Sequence, residues 1–173
     1  PNRKPIVTIE LSNQRRDALI NRIKSAISSG SQVYWVCPLI EESESALIGI
    51  EDLEKILKDE FVADDYKILH GKMSDKQKGE ILESFKNKET KILLATTVIE
   101  VGIDVPDANI IVIENSERFG LAQLHQLRGR VRRDSKESYC ILMHDDSLSE
   151  LSQKRLEIRC QSNDGFHIAE QDL

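Results

Sequence analysis

Apolar residues in this chain switch repeatedly between two spacings, and the switching predicts an α/β fold. Residues 6–11 alternate at the period of a strand. Leu19, Ile20, Ile23, Ala26 and Ile27 then recur at helical spacing, with Ser12 placed to cap the helix and Gly30 to stop it. Residues 33–36, running into Cys37 and Pro38, form a β-branched and aromatic run that reads as a buried strand. Ala46, Leu47, Ile50, Leu53, Ile56 and Leu57 return to helical spacing, and residues 66–69 to a short strand. Ser74 and Gln77 have the spacing of a capping box, opening a helix with Ile81, Leu82 and Phe85 inward. Residues 91–96, 109–114 and 138–143 are further strand candidates. Residues 121 to about 133 and 149 to about 159 are helix candidates. Such alternation predicts a mainly parallel sheet of about six strands with helices on both faces. Ligands of these sheets gather at the carboxyl ends of strands, which directs attention to the loops after Val36, Leu69, Thr96, Glu114 and Met143.

Composition narrows the function classes. A length of 173 residues suits one domain with a small appendage. There is no run of eighteen apolar residues and no signal peptide with its cleavage site, so the expected setting is the cytoplasm, without a membrane partner. Cys37, Cys140 and Cys160 are dispersed, and His125, His144 and His167 lack ligand spacing, so neither a disulfide framework nor a metal site is expected. Cys37, ending an apolar strand, reads as packing. Net charge is -6, which argues against binding a polyanion through global charge. The charge is polarised, however. Residues 41–65 hold ten acidic side chains and two basic ones, whereas residues 118–136 hold six basic and one acidic. A basic cluster on an acidic chain points to a local anion site.

That cluster contains Gln126, Leu127, Arg128, Gly129, Arg130, Val131, Arg132 and Arg133. Arginine reads phosphate with a planar fork and never loses its charge, and on a helix Arg130 and Arg133 would stand one turn apart. Upstream, Thr96 and Thr97 end an apolar strand, Gly102 allows close backbone approach, and Asp104 offers a carboxylate suited to a ribose hydroxyl. Each feature alone is compatible with a solvated helix face or an ordinary strand-to-loop turn. In combination, residues 91–133 resemble motifs V and VI of superfamily-two helicases, in order and at about the right separation. Motif VI there reads Q-x-x-G-R-x-G-R, matched here by Gln126, Gly129, Arg130 and Arg133. RNA helicases of the DEAD-box kind show H-R-x-G-R-x-G-R, so Gln126 favours the DNA-translocase branch. The second glycine of the motif is Arg132 in this chain, a change that favours helix by roughly 1 kcal/mol and must point outward or shift the helix.

Three further segments are similar to the RecG family within that branch. These are residues 34–44 (motif IV), residues 69–73 with His70, Gly71 and Lys72, and residues 147–173. The last looks like the truncated start of the helical TRG element, through residues 153–156 and 162–166. The resemblance implies a RecA-like helicase C-terminal domain, a three-layer sandwich of the P-loop NTPase type, over residues 6–146. Residues 1–5 would be a linker from an upstream helicase domain. It implies that Arg133 is an arginine finger and Arg130 a second phosphate contact, and that Gln126, Gly102 and Asp104 line the nucleotide side. Thr96, Thr97, His70, Gly71 and Lys72 would meet nucleic acid.

The sequence contains no G-x-x-x-x-G-K-[ST] and no Walker B carboxylates, so the nest for the β-phosphate and the Mg²⁺ ligand are not encoded within it. The resemblance therefore implies a parent protein that uses ATP and Mg²⁺ on branched or duplex DNA. The P-loop domain of the same polypeptide would be the partner of this half, which alone should bind no cofactor tightly and be inactive. Two other readings stay open on sequence: the equivalent half of a transcription–repair coupling factor, and a RecA-like binding module without chemistry.

Overall fold

The computed structural model describes residues 6–38, 50–69, 73–96, 108–129, 131, 138–144 and 166–169. Their strands are β1 (Ile6–Ser12), β2 (Val33–Cys37), β3 (Tyr66–Leu69), β4 (Ile92–Thr96), β5 (Ile110–Ile113), β6 (Ser138–His144) and β7 (Phe166–Ala169). All pair in parallel, in the order β3-β4-β2-β5-β6-β1-β7. Six of these lie where the apolar pattern put them. The seventh, β7, falls in the stretch expected to begin a helical element. Its pairing with β1 makes it an edge strand.

Strand alternation sorts the core into two layers. Tyr34, Val36, Leu93, Ala95, Ile111 and Ile113 face one way and pack with Phe85 of α3 (Asp75–Lys86) and Leu124 and Leu127 of α4 (Leu121–Arg128). Val33, Trp35, Ile92, Leu94, Ile110 and Val112 face the other way, onto α1 (Arg16–Ser28) and α2 (Ile50–Glu60). Both faces of the central strands are covered, which is why they read as continuous apolar runs. The result is the three-layer sandwich the sequence predicts.

The helix ends follow local chemistry. Ser12 accepts a hydrogen bond from the amide of Gln14 and starts the turn into α1. Gly30, at φ 94, takes the left-handed conformation that ends it. The capping box of α3 forms as expected, Gln77 N donating to Ser74 Oγ at 3.2 Å and Ser74 N to Gln77 Oε1 at 3.1 Å. Ala46 and Leu47, and the helix candidate at residues 149–159, lie outside the described residues.

One element is shorter than predicted. The helix expected to reach residue 133 ends at Arg128. Gly129 caps it, its amide donating to His125 O at 3.0 Å, and Val131 N turns back to Arg128 O at 3.0 Å. Buried Val131 then forms a parallel bridge with Ala108. A β-branched residue held in backbone pairing does not continue the helix at Val131, and Arg130 and Arg133 lie outside the described residues.

Candidate nucleotide and nucleic-acid site

Thr96 closes β4 beside Cys37 of β2, at the carboxyl edge of the sheet. The loops that would carry Thr97, Gly102, Asp104, His70, Gly71 and Lys72 lie outside the described residues, as do Arg130 and Arg133. Two backbone anchors bracket them. Ala108 follows the segment with Gly102 and Asp104, and Val131 sits between Arg130 and Arg132; the Ala108–Val131 bridge joins the two stretches. The bridge precedes the start of β5, whereas Thr96 is level with the residue after its end. Six residues of strand, roughly 20 Å, separate the two levels. Thr96 and the Ala108–Val131 bridge therefore lie at opposite ends of the sheet. Val131 stands at the amino end because α4 carries the chain back along the sheet.

On α4, Leu124 and Leu127 are buried and Gln126 is exposed, so Gln126 is free to meet a ligand or a neighbouring domain. Arg128 is half-buried and its charge acts on Cys140 of β6, so it belongs to the packing of α4 more than to an open phosphate site. Burial pushes the Cys140 thiol up to about 12 despite that arginine. Cys37 is also pushed up to about 12, by burial and then by the Glu114 carboxylate, and its thiol points to Ala95 O at 3.6 Å. At neutral pH both remain thiols and pack as apolar side chains.

The carboxyl edge holds a group that pattern reading passed over. Glu114 is wholly buried, pairs with Arg16 at the start of α1, and accepts a hydrogen bond from Trp35 Nε1 at 2.9 Å. Arg16 also reaches Asn13 Oδ1 at 3.4 Å. Burial pushes the Glu114 carboxyl above the usual carboxylate range, with the Arg16 guanidinium and the Trp35 N–H opposing it. Asn115 follows in the left-handed region at φ 47, and Ser116 Oγ donates to Met143 O at 2.9 Å. The sequence signal was an acidic residue ending the apolar run 110–113; its partner, 98 positions away, had none.

Among the described residues no group of His, Cys, Asp and Glu could hold a metal ion, and no helix is long and apolar enough to cross a membrane. A cleft of about 290 Å³ between α1 and the starts of β5 and β6 lies on the face of the sheet opposite α4.

Comparison with known proteins agrees with this architecture. Residues 14–135 match the helicase conserved C-terminal domain. The chain is 46% identical over 179 aligned residues to the ATP-dependent DNA helicase RecG of Pasteurella multocida, covering 100% of this chain and 25% of that protein. It is 44% identical to RecG of Aquifex aeolicus, covering 22% of it. It thus spans about a quarter of the length of the curated relatives it matches. RecG bound to a three-way DNA junction superposes with a TM-score of 0.76 at 39% identity, over 95% of this chain and 21% of that one. The C-terminal domain of the DEAD-box protein Dbp5 superposes with a TM-score of 0.66 at 16% identity, over 98% and 91%, a likeness of fold. With the RecA-like sheet in place and the family match covering most of its length, this chain belongs to the helicase conserved C-terminal domain family.

Proposed function

We propose that the chain is the arginine-bearing motor half of an ATP-dependent DNA helicase that acts on branched DNA. The observation that carries this reading is the Ala108–Val131 bridge, which ties the stretch following Gly102 and Asp104 to the stretch bearing Arg130 and Arg133. The whole-chain similarity to RecG, including RecG bound to a three-way junction, supports DNA as the track. It favours RecG over the coupling factor and over a binding module without chemistry.

In this reading a P-loop domain upstream in the same polypeptide would hold ATP and Mg²⁺, and the metal would supply positive charge for phosphoryl transfer. Arg133 faces the γ-phosphate as the arginine finger and Arg130 a neighbouring phosphate. Exposed Gln126 meets the nucleotide or the facing domain, and Gly102 and Asp104 lie on the nucleotide side. Thr96, at the carboxyl edge of the sheet, and Thr97 after it meet the DNA backbone, with His70, Gly71 and Lys72 contributing to that path.

The test compares the full-length protein with this chain alone. The full-length protein is expected to hydrolyse ATP faster with a three-way junction than without, and to unwind it. Residues 1–173 alone are expected not to turn over ATP, because binding energy for a triphosphate comes mainly from the phosphate nest and Mg²⁺. Turnover by the isolated chain, or no turnover by the full-length protein, contradicts the proposal.

A further inference from the structure

Among the described residues Glu114 is the only charged side chain that is buried. A buried ion pair is a poor device for stability alone, since a well-packed apolar replacement is often as stable or more so. Its location supplies another use. Glu114 stands where β5 passes into the connection leading to α4, and the start of that connection is pinned. The Glu114 amide donates to Val36 O at 2.8 Å, and its carboxylate is held by Trp35 of the same strand and by Arg16 of α1. Ser116 fixes the next step to β6, and the left-handed Asn115 sets its direction. The far end of α4 is pinned by the Gly129 turn and the Ala108–Val131 bridge. The helix is a rod of about 12 Å, from 1.5 Å rise per residue, held at its far end and entered through a connection whose first residues are anchored. Its far clamp lies inside the arginine segment.

We propose that Arg16, Glu114 and Trp35 are positioning residues for ATP turnover: they fix the carboxyl-edge end of α4 and thereby the placement of Arg130 and Arg133. The inference rests on the function proposed above. None of the three is a catalytic residue. Glu114 and Trp35 are fully buried, and the Arg16 side chain, 14% exposed, is engaged by Glu114. Displacing a catalytic group by about 1 Å through a remote change costs up to about 100-fold in rate. Substrate affinity, which comes from the other half of the site, has no reason to change.

The test uses the full-length protein and steady-state ATP turnover with saturating junction DNA. The double variant Arg16→Met with Glu114→Gln removes both charges together, so neither is left buried alone. Its kcat is expected to fall about 10- to 100-fold while KM for ATP stays within about threefold. Trp35→Phe keeps the ion pair and an aromatic side chain but deletes the indole donor, and is expected to lower kcat by about three- to tenfold at unchanged KM. A kcat within about twofold of the parent in the folded double variant, or a loss expressed in KM, overturns the inference. Should the double variant not fold, the same criterion applied to Trp35→Phe decides. Arg133→Ala separates the two claims. If it abolishes turnover while the positioning variants do not change it, the function stands and this inference falls. If Arg133→Ala leaves turnover intact, both fall.

Discussion

The two ends of the sheet solve the same problem with different chemistry. At the amino-terminal end, Gln32 Nε2 donates to Phe85 O at 2.6 Å and Thr90 O at 3.0 Å, and its amide donates to Asn109 Oδ1 at 3.0 Å. Ser84 and Thr90 share a hydroxyl contact at 2.8 Å. The buried groups of this network are neutral, and the nearby Lys91–Asp65 pair is partly exposed. At the carboxyl-terminal end the corresponding buried group is a carboxylate held by a guanidinium and an indole. A side-chain amide satisfies buried carbonyls at little electrostatic cost, whereas an ion must be desolvated first. The neutral amino-end network therefore costs little to bury, whereas the carboxyl-end pair gives up stability for direction.

The comparison breaks most readily at Arg16. Arg16→Met leaves the Glu114 carboxylate buried with Trp35 as its remaining described partner, and the expected loss is about 3–5 kcal/mol at neutral pH by urea unfolding. That loss should depend on pH. Burial already raises the folded-state pKa of Glu114 above its unfolded value, and removing Arg16 raises it further. A raised folded-state pKa contributes stability that is complete below the unfolded value near 4.5 and is lost as pH rises through the folded value. The deficit of the variant relative to the parent should accordingly shrink as pH falls toward the ordinary carboxylate range. A deficit that stays constant or grows on acidification would mean Glu114 is not the charge left behind.

Gln32→Leu is the matching probe of the neutral end. It strands buried carbonyls without stranding a charge, so the expected loss is smaller, about 1–3 kcal/mol, and flat between pH 5 and about 8. A pH-dependent loss there would erase the distinction between the two ends. The smallest effect is expected from Ser74→Ala, which deletes the cap of α3 just after the carboxyl end of β3 and should cost about 1 kcal/mol, again without pH dependence. A loss comparable to that at Arg16 would mean that the whole edge is unusually sensitive, not that its buried charge is.

Much of the fold was legible because most elements carry their own signal. Apolar periodicity placed six strands and the helices between them, and the cap at Ser74 needs only residues three apart. What escaped was set by partners distant in sequence. β7 is a strand because β1 offers an edge to pair with. The helix of Gln126 stops at Arg128 because Gly129 turns and Val131 finds Ala108. Helical periodicity in the sequence could not reveal that Ala108 would be there. The Arg16–Glu114 pair is likewise invisible to any window of neighbouring residues, although an acid after four apolar positions was a clue. The motif residues were legible as a resemblance, but the return of the chain to the amino end at Val131 was not, because motif order says nothing of the path taken by α4.

The central claim, that this half supplies the arginine acting on the γ-phosphate, is tested most directly by single-turnover ATP hydrolysis on the full-length protein carrying Arg133→Ala, read beside a nucleotide titration. An arginine finger is worth about 10³ to 10⁵ in rate, so hydrolysis should fall by that order while nucleotide affinity stays close to the parent's. Arg133→Lys should recover little of the rate, since a point charge lacks the planar fork. A rate for Arg133→Ala within about tenfold of the parent, roughly 1.4 kcal/mol, would contradict the account.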